Sequence, residues 1–238
     1  MATIGQSGEP QKAGTVIHMD GQAHALRMDE GQVRLSLGVA IRSGDVIETD
    51  ALGQLTVLFS DGSELMLGPN SRFSLDSFEF NRARRFSRLQ AWIVEGAFVF
   101  SCGMISDGGS AVFQAREAKI HVTNGKIAGK TDIEERISMF TLLPQSGGYI
   151  GSASLIYGDS VVLLGGANDT SIVSDNTKQA SPVIKLSDED LAESYSGLFV
   201  GAWQGVALNK VAARNKSEDG AKKTRPAPGA GSNSKKSA

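Results

Sequence analysis

Several features on which catalytic sites, disulfide scaffolds and membrane spans depend are scarce in this sequence. Its 238 residues include one cysteine and three histidines, so an internal disulfide framework is excluded. No run of about 20 apolar residues is present, which a membrane-spanning helix needs. No nucleophile-elbow, phosphate-loop or HExxH pattern occurs. The sequence therefore predicts no catalytic residues, no cofactor and no enzyme activity.

Short runs of alternating apolar and polar residues are abundant instead, and 28 glycines lie in or between them. In one such run Leu55, Val57 and Phe59 point one way, while Gln54 and Thr56 point the other. Side chains two residues apart share one face of a strand, so each run buries one face. The sequence predicts an all-β fold of many short antiparallel strands, arranged as a sandwich or a short β-solenoid-like domain.

The turn after Phe59 can be tested for its register. A three-residue loop, Asp61-Gly62-Ser63, would pair Phe59 with Leu65 and keep both apolar faces on the same side. A two-residue Asp61-Gly62 loop would place Glu64 opposite Phe59 and break that agreement. We therefore expect the three-residue loop, with Gly62 adopting a positive φ and the Asp-Gly pair serving as a turn rather than a metal or catalytic site.

A set of short fragments, in this order and at this spacing, resembles the FecR domain. The resemblance extends from about Gly14 to Gly103 and is weaker to about residue 185. The fragments that carry it are Gly14-Thr15-Val16, Gly21-Gln22-Ala23, Leu37-Gly38, Ser43-Gly44-Asp45-Val46-Ile47-Glu48-Thr49, Phe59-Ser60-Asp61-Gly62-Ser63, Leu67-Gly68-Pro69-Asn70-Ser71, Val94-Glu95-Gly96-Ala97-Phe98 and Ser101-Cys102-Gly103.

The FecR resemblance implies a non-enzymatic all-β module for binding, signalling or scaffolding at the bacterial cell envelope or with a secretion system. It also implies a periplasmic, surface or secreted location, although the sequence itself assigns no compartment. The pattern departs from the family between Gln114 and Gly125. There the family's Thr-Pro is absent and its terminal Arg-Gly-Thr is replaced by Thr-Asn-Gly, which puts any function of that signature in doubt.

Composition divides the chain into four parts. Residues 1–13 are predicted to be a disordered lead-in. They have no charged n-region, apolar core or cleavage site, so we expect neither a signal peptide nor a membrane span before the β domain. A FecR-like β domain is expected at 14–186 and an amphipathic helix at 187–209. A disordered basic tail, with eight basic and two acidic residues, is expected at 210–238.

The predicted helix starts with Ser187 as its N-cap, followed by three acidic residues in the first turn. Leu191, Tyr195, Leu198 and Phe199 follow on one stripe, and glycines recur at Gly197, Gly201 and Gly205. Either the helix packs on the β domain, or it binds at a membrane interface. In the second case residues 191–238 would give weak contact with an anionic membrane, and the chain would be a peripheral membrane-associated protein.

Basic and aromatic residues alternate in SFEFNRARRFSRLQAW, residues 77–92, and break the strand pattern. This stretch is interpreted as a charged loop or protected edge, or as a surface for an acidic protein or an anionic glycan. Nucleic acid is not expected as a partner, because the rest of the chain before the tail is acidic. The candidate partner-binding residues are Arg82, Arg84, Arg85, Phe86 and Arg88.

Three further positions have an alternative chemical interpretation. His18 and His24 flank Asp20-Gly21 and would bind a metal only if that turn closed a hairpin and a third ligand were present, so we interpret them as ordinary strand residues. Cys102 ends a strand-like run and is expected to be a buried thiol without a catalytic base. Residues 165–169 are expected to form a turn rather than a calcium loop.

Overall fold

The computed structural model describes residues 11–177 and 179–198. Within these ranges the backbone forms strands connected by tight turns, and one short α-helix follows the last strand. The elements are β1 Lys12–Asp20, β2 Ala23–Arg27, β3 Gly31–Arg34, β4 Ala40–Arg42, β5 Val46–Thr49, β6 Gln54–Phe59, β7 Glu64–Leu67, β8 Arg72–Asn81, β9 Phe86–Ser101, β10 Ser110–Ala115, β11 Ala118–Asn124, β12 Lys126–Asp132, β13 Ile137–Leu143, β14 Ser152–Tyr157, β15 Ser160–Leu164, β16 Asp169–Ser174, β17 Ile184–Lys185 and α1 Asp188–Ser194.

The strands form two layers, which confirms the all-β prediction and selects the sandwich over the solenoid. The first sheet has the order β4-β1-β6-β7-β9-β12-β13-β16-β17. The second sheet has the order β3-β2-β5-β8-β9-β10-β11-β14-β15. All of these pairs are antiparallel except β9 with β10, which is parallel.

Strand β9 belongs to both sheets and joins them. Up to Glu95 it pairs with β8 and β10 in the second sheet, and from Gly96 it pairs with β12 and then β7 in the first. Gly96 adopts φ +90° at the point of transfer. Only glycine takes this conformation without strain, so Gly96 lets one long strand turn from one layer into the other.

The core lies between the two sheets. Phe113 of the second sheet is fully buried, and its ring centroid lies 4.8 Å from that of Phe98 and 4.9 Å from that of Phe100, both in the first sheet. Phe59 and Phe78 stack across the same gap at 5.1 Å. Contacts at these distances are typical of favourable aromatic pairs, so these rings connect the layers.

In the hairpin between β6 and β7 the apolar side chains of both strands lie on the same face, as predicted, but the loop consists of different residues. Val57 lies opposite Leu65 and Leu55 opposite Leu67, so the apolar faces agree as expected. The backbone N–H of Phe59 donates to the carbonyl of Ser63, which makes Ser60-Asp61-Gly62 the loop. The predicted pairing of Phe59 with Leu65 is wrong by two residues, a shift that leaves every side chain on its face. Gly62 has the predicted positive φ, +82°.

Residues 77–92 do not interrupt the sheet, which corrects the interpretation as a loop. They form the end of β8, a four-residue turn and the first part of β9, and the two strands pair from Arg72 to Asn81. Alternation continues through the stretch, because Phe78, Leu89 and Ala91 are buried. The density of arginine at the turn hid this pattern in the sequence.

The motif around Asp45, which contributes to the FecR resemblance, has a structural role here. Asp45 is buried and accepts hydrogen bonds from the Arg27 guanidinium at 3.0 and 3.2 Å and from the backbone N–H of Arg42 at 3.0 Å. Two charged donors and one backbone donor satisfy the buried carboxylate. The Arg27–Asp45 pair therefore joins β2 to the β4–β5 turn.

The helix begins as predicted, since the Ser187 hydroxyl accepts from the backbone N–H of Asp190 at 3.1 Å. It ends at Ser194, so the prediction of a helix over 187–209 is wrong at Gly197, which is not helical. Leu191, Tyr195 and Leu198 are buried on the outer face of the first sheet, where the Tyr195 hydroxyl lies 3.0 Å from Thr141 Oγ1. The rest of the predicted helix and the basic tail lie outside the described residues.

Candidate partner-binding surface

The arginines predicted to bind a partner meet at one end of the second sheet. The turn at residues 82–85 is closed by the backbone N–H of Arg84 donating to Asn81 Oδ1 at 3.0 Å and by that of Arg85 donating to the Arg82 carbonyl at 3.3 Å. Arg82, Arg84 and Arg85 are exposed. We call Arg82, Arg84, Arg85, Phe86 and Arg88 the arginine surface.

Phe86 and Arg88 share the outer face of β9, since they are two residues apart on one strand. The Arg88 guanidinium carbon lies 5.4 Å from the centre of the Phe86 ring, within the range of a cation–π contact. Phe86 is half-buried and Arg88 is exposed. The ring therefore orients the guanidinium of an exposed side chain.

A pocket of about 480 Å³ lies beside the turn. Two aromatic rings, one guanidinium, two side-chain amides and one carboxylate line it. These groups belong to Gln11, Glu79, Phe80, Asn81, Arg84 and Phe86. Arg84 and Phe86 are also part of the arginine surface, so the predicted residues border a concavity as well as an exposed turn.

Sequence reasoning missed the polar cluster that holds β9 in place under the arginine surface. Asp61 is 3% exposed and its carboxylate accepts from the Ser87 hydroxyl at 2.7 Å. The same carboxylate accepts from the backbone N–H and the hydroxyl of Ser63, each at 2.9 Å. Because Ser87 lies between Phe86 and Arg88, the cluster ties the arginine surface to the opposite sheet. The Asp-Gly dipeptide indicated a turn, and nothing in the sequence linked it to Ser87.

Cys102 lies near this cluster and is half-buried, packed against the core, where the sequence predicted a buried thiol. Burial, together with the negative charge of Asp61, raises the pKa of its thiol to about 12 from an ordinary 9.0. A thiolate is the reactive form of cysteine. This environment therefore suppresses nucleophilic chemistry at Cys102.

Alkylation of Cys102 should be slow in the native protein. At pH 8 we expect iodoacetamide to react about a thousandfold more slowly than in the urea-unfolded chain, because about a thousandfold less thiolate is present. Since the folded-state pKa lies above the unfolded one, the free energy of unfolding should also fall as pH rises from 9 towards 12. Mass spectrometry of timed reactions measures the rates, and equal rates in the two states would contradict the pKa shift.

The structure does not bring His18 and His24 together across a hairpin. His18 lies on β1 in the first sheet and His24 on β2 in the second, and His18 Nε2 lies 3.1 Å from Asp20 Oδ2. Among the residues that the structure describes, no three His, Cys, Asp or Glu side chains are placed to hold a metal ion.

The segment at residues 165–169 is a turn, as predicted. Asp169 Oδ2 accepts from the backbone N–H groups of Gly165 and Gly166 at 3.1 and 2.6 Å. An Asp oxygen that accepts from consecutive backbone donors fixes a local turn. This carboxylate oxygen is therefore engaged within the loop itself.

The membrane alternative was predicted for residues 191–238, of which the structure describes residues 191–198. Three of the four residues of the predicted apolar stripe, Leu191, Tyr195 and Leu198, are buried against the sheet, and the fourth, Phe199, lies outside the described residues. In the described part of the chain, no helix has the length and apolar character needed to cross a bilayer. Residues 199–238, the remainder of that prediction, lie outside the described residues.

No protein-family model matches the chain, and no curated protein matches it. Among solved structures, the fold is similar to two crystal structures of a proposed anti-sigma factor from Parabacteroides distasonis ATCC 8503. Both have 16% sequence identity, with TM-scores of 0.49 and 0.48. A cell surface anchoring domain, with 26% identity and a TM-score of 0.25, covers 26% of this chain and 82% of its own.

The chain spans 62% of the length of the anti-sigma-factor structures, which in turn cover 62% of it. Similarity at this level does not support an argument about function. The FecR resemblance therefore rests on the sequence fragments between Gly14 and Gly103.

Proposed function

We propose that this chain is a FecR-like, non-enzymatic β module that binds an acidic protein or an anionic glycan through the arginine surface. The observation that carries the proposal is the clustering of four arginines and an aromatic ring around a single turn, next to a pocket. Guanidinium groups bind carboxylate, sulfate or phosphate oxygens in a planar, bidentate geometry. An acidic or sulfated partner matches both the charge and the donors of this surface.

The support for this surface goes beyond charge. The turn is closed by hydrogen bonds at Asn81 and Arg82, and Ser87 is anchored to Asp61 at 2.7 Å. Less conformational entropy is lost on binding when the contacting groups are already positioned. The Phe80 and Phe86 rings beside the pocket add apolar contact area that a simple charged turn lacks.

Binding should depend on the position of the arginines and not only on net charge. With the full chain, calorimetric titration of heparin or poly-glutamate should give at least a tenfold loss of affinity for Arg84→Glu/Arg88→Glu. The loss follows from removing two attractive charges and adding two repulsive ones. Affinity for the unmodified chain should also fall between 50 and 200 mM salt, since exposed charges are screened.

Arg34→Glu/Lys185→Glu is the matched control, because it makes the same change in net charge at two exposed basic residues, on β3 and β17, away from the turn. It should change the affinity by less than about twofold. If the double substitution at the arginine surface and the control lowered the affinity equally, binding would depend on net charge and not on the position of the arginines. Failure of the unmodified chain to bind either probe would reject an anionic partner.

The envelope role is a separate element of the proposal and rests on the FecR resemblance. Cell fractionation of the native host, with immunodetection of this chain, tests it. Recovery from the periplasm, the surface or the medium is the expected result. Recovery in the cytoplasm would leave the arginine surface as a binding site for intracellular acidic partners and would remove the envelope role.

A further inference from the structure

Among the residues that the structure describes, strand β15 is an edge strand of the second sheet, and it has no charged side chain. Val161 and Leu163 are 63% and 72% exposed on its outer face, and β14 is its paired neighbour. The other terminal strands are shorter and each carries a basic residue, namely Arg34 on β3, Arg42 on β4 and Lys185 on β17. A charged side chain is a usual protection against pairing with another chain, and β15 carries none.

The free backbone groups of β15 belong to the same two residues. A two-residue turn joins Tyr157 to Ser160, with Gly158 at φ +56°. Such a turn makes Tyr157 and Ser160 a hydrogen-bonded pair, so the bonds alternate along the hairpin and the next bonded residue of β15 is Val162. The N–H and C=O groups of Val161 and Leu163 therefore point away from β14.

Within the described ranges, no other backbone group bonds to these positions. The segment after β16 donates to β15 at the Ser160 side chain, where the backbone N–H of Ala180 lies 3.1 Å from Oγ. Four main-chain groups, two donors and two acceptors, thus remain on a strand that also exposes two apolar side chains. This combination fits another β-strand rather than a small ligand.

We propose that β15 pairs antiparallel with β15 of a second copy of this chain and continues the second sheet across a twofold axis. The strand is self-complementary about Val162. Val161 lies opposite Leu163 of the copy and Leu163 opposite its Val161, so the four main-chain groups of each copy together form four backbone hydrogen bonds. The apolar side chains then make two cross-strand pairs on the outer face.

Charge does not oppose this arrangement. In the proposed register Asp159 lies opposite Gly165 of the copy, and Ser160 opposite Leu164, so like charges do not meet across the axis. A five-residue strand contributes less buried surface than the ~1,200 Å² typical of stable complexes. The dimer is therefore weak, reversible and concentration-dependent.

Sedimentation equilibrium of the full chain over a wide concentration range tests the dimer. The unmodified protein should pass from monomer to dimer, and Leu163→Lys should raise the dimer dissociation constant at least tenfold, because two lysines would face apolar partners. Val161→Pro should do the same, since it removes an outward N–H that β14 does not use. Leu52→Lys, at a 79% exposed turn position, is the control and should not change the constant.

Cross-linking tests the register, in a Cys102→Ser background. A mixture of Val161→Cys and Leu163→Cys chains should form the mixed disulfide at least fivefold faster than either homodimeric disulfide. Directly opposed residues in a bonded antiparallel pair have Cα atoms about 5.5 Å apart, which a disulfide spans. A chain that stays monomeric, a dimer unaffected by Leu163→Lys and Val161→Pro, or a preference for homodimeric disulfides would each overturn the proposal.

Discussion

Replacement of Asp61 by alanine is expected to lower the free energy of unfolding by about 5 kcal/mol, because three hydrogen bonds to a charged acceptor are lost and each contributes about 1.5–3 kcal/mol. The side chain is 3% exposed, and it accepts from Ser63 twice and from Ser87 once. Water cannot readily replace these bonds at a buried position. Urea-induced unfolding monitored by circular dichroism gives the value.

Two further variants make this result specific. Asp76→Ala removes an exposed carboxylate that accepts from the Ser74 hydroxyl, and should change stability by less than about 0.5 kcal/mol. Asp61→Asn keeps one oxygen that can accept from the Ser63 backbone N–H. It should therefore lower the free energy of unfolding by less than Asp61→Ala does. If Asp61→Ala lowered the free energy of unfolding by less than about 1 kcal/mol, the Asp61 cluster would not be what holds β9 in place.

The second large effect is expected at Gly96, where β9 moves between the sheets. A Cβ atom there would lie 2.5 Å from Ser71 Cα and 2.7 Å from Ser71 Cβ, and the residue has φ +90°. Left-handed backbone costs other residues about 1–2 kcal/mol, and overpacking adds about 1–3 kcal/mol. Gly96→Ala should therefore destabilise the protein by about 4 kcal/mol in the same urea experiment.

Gly44 provides the control, because it also has φ +90° and a Cβ atom there would meet nothing within 4 Å. Gly44→Ala should lower the free energy of unfolding by about 1–2 kcal/mol, which is the cost of the left-handed backbone alone. The difference between the two variants isolates the steric contact with Ser71. Similar losses at both positions would show that the transfer of β9 does not require close approach of the backbone at Gly96 to Ser71.

Much of the local structure was predictable from the sequence because it depends on neighbouring residues. Alternation placed Leu55, Val57 and Phe59 in the core, and the Asp-Gly pair placed a positive φ at Gly62. Ser187 before three acids marked the start of the helix. For the same reason the error in the β6–β7 loop was harmless, since a shift of two residues preserves the face of every side chain.

The candidate site was predictable in composition but not in geometry. Arginine density identified Arg82, Arg84, Arg85 and Arg88, yet it also concealed that they sit on a hairpin. The pocket depends on Gln11, which is about 70 residues away along the chain from Glu79. The anchor depends on Asp61, which meets Ser87 only because two sheets face each other.

The sequence by itself determined which side chains face the core, where the turns fall and which surface is basic, because period-two alternation and turn chemistry are properties of consecutive residues. Only the tertiary structure decided which strands pair, that β9 serves both sheets, and that β15 is left as an uncharged edge. Alternation specifies the face of a strand and not its neighbour. Strand partners are selected by packing between residues distant in the chain, which carry no mark of each other in the sequence.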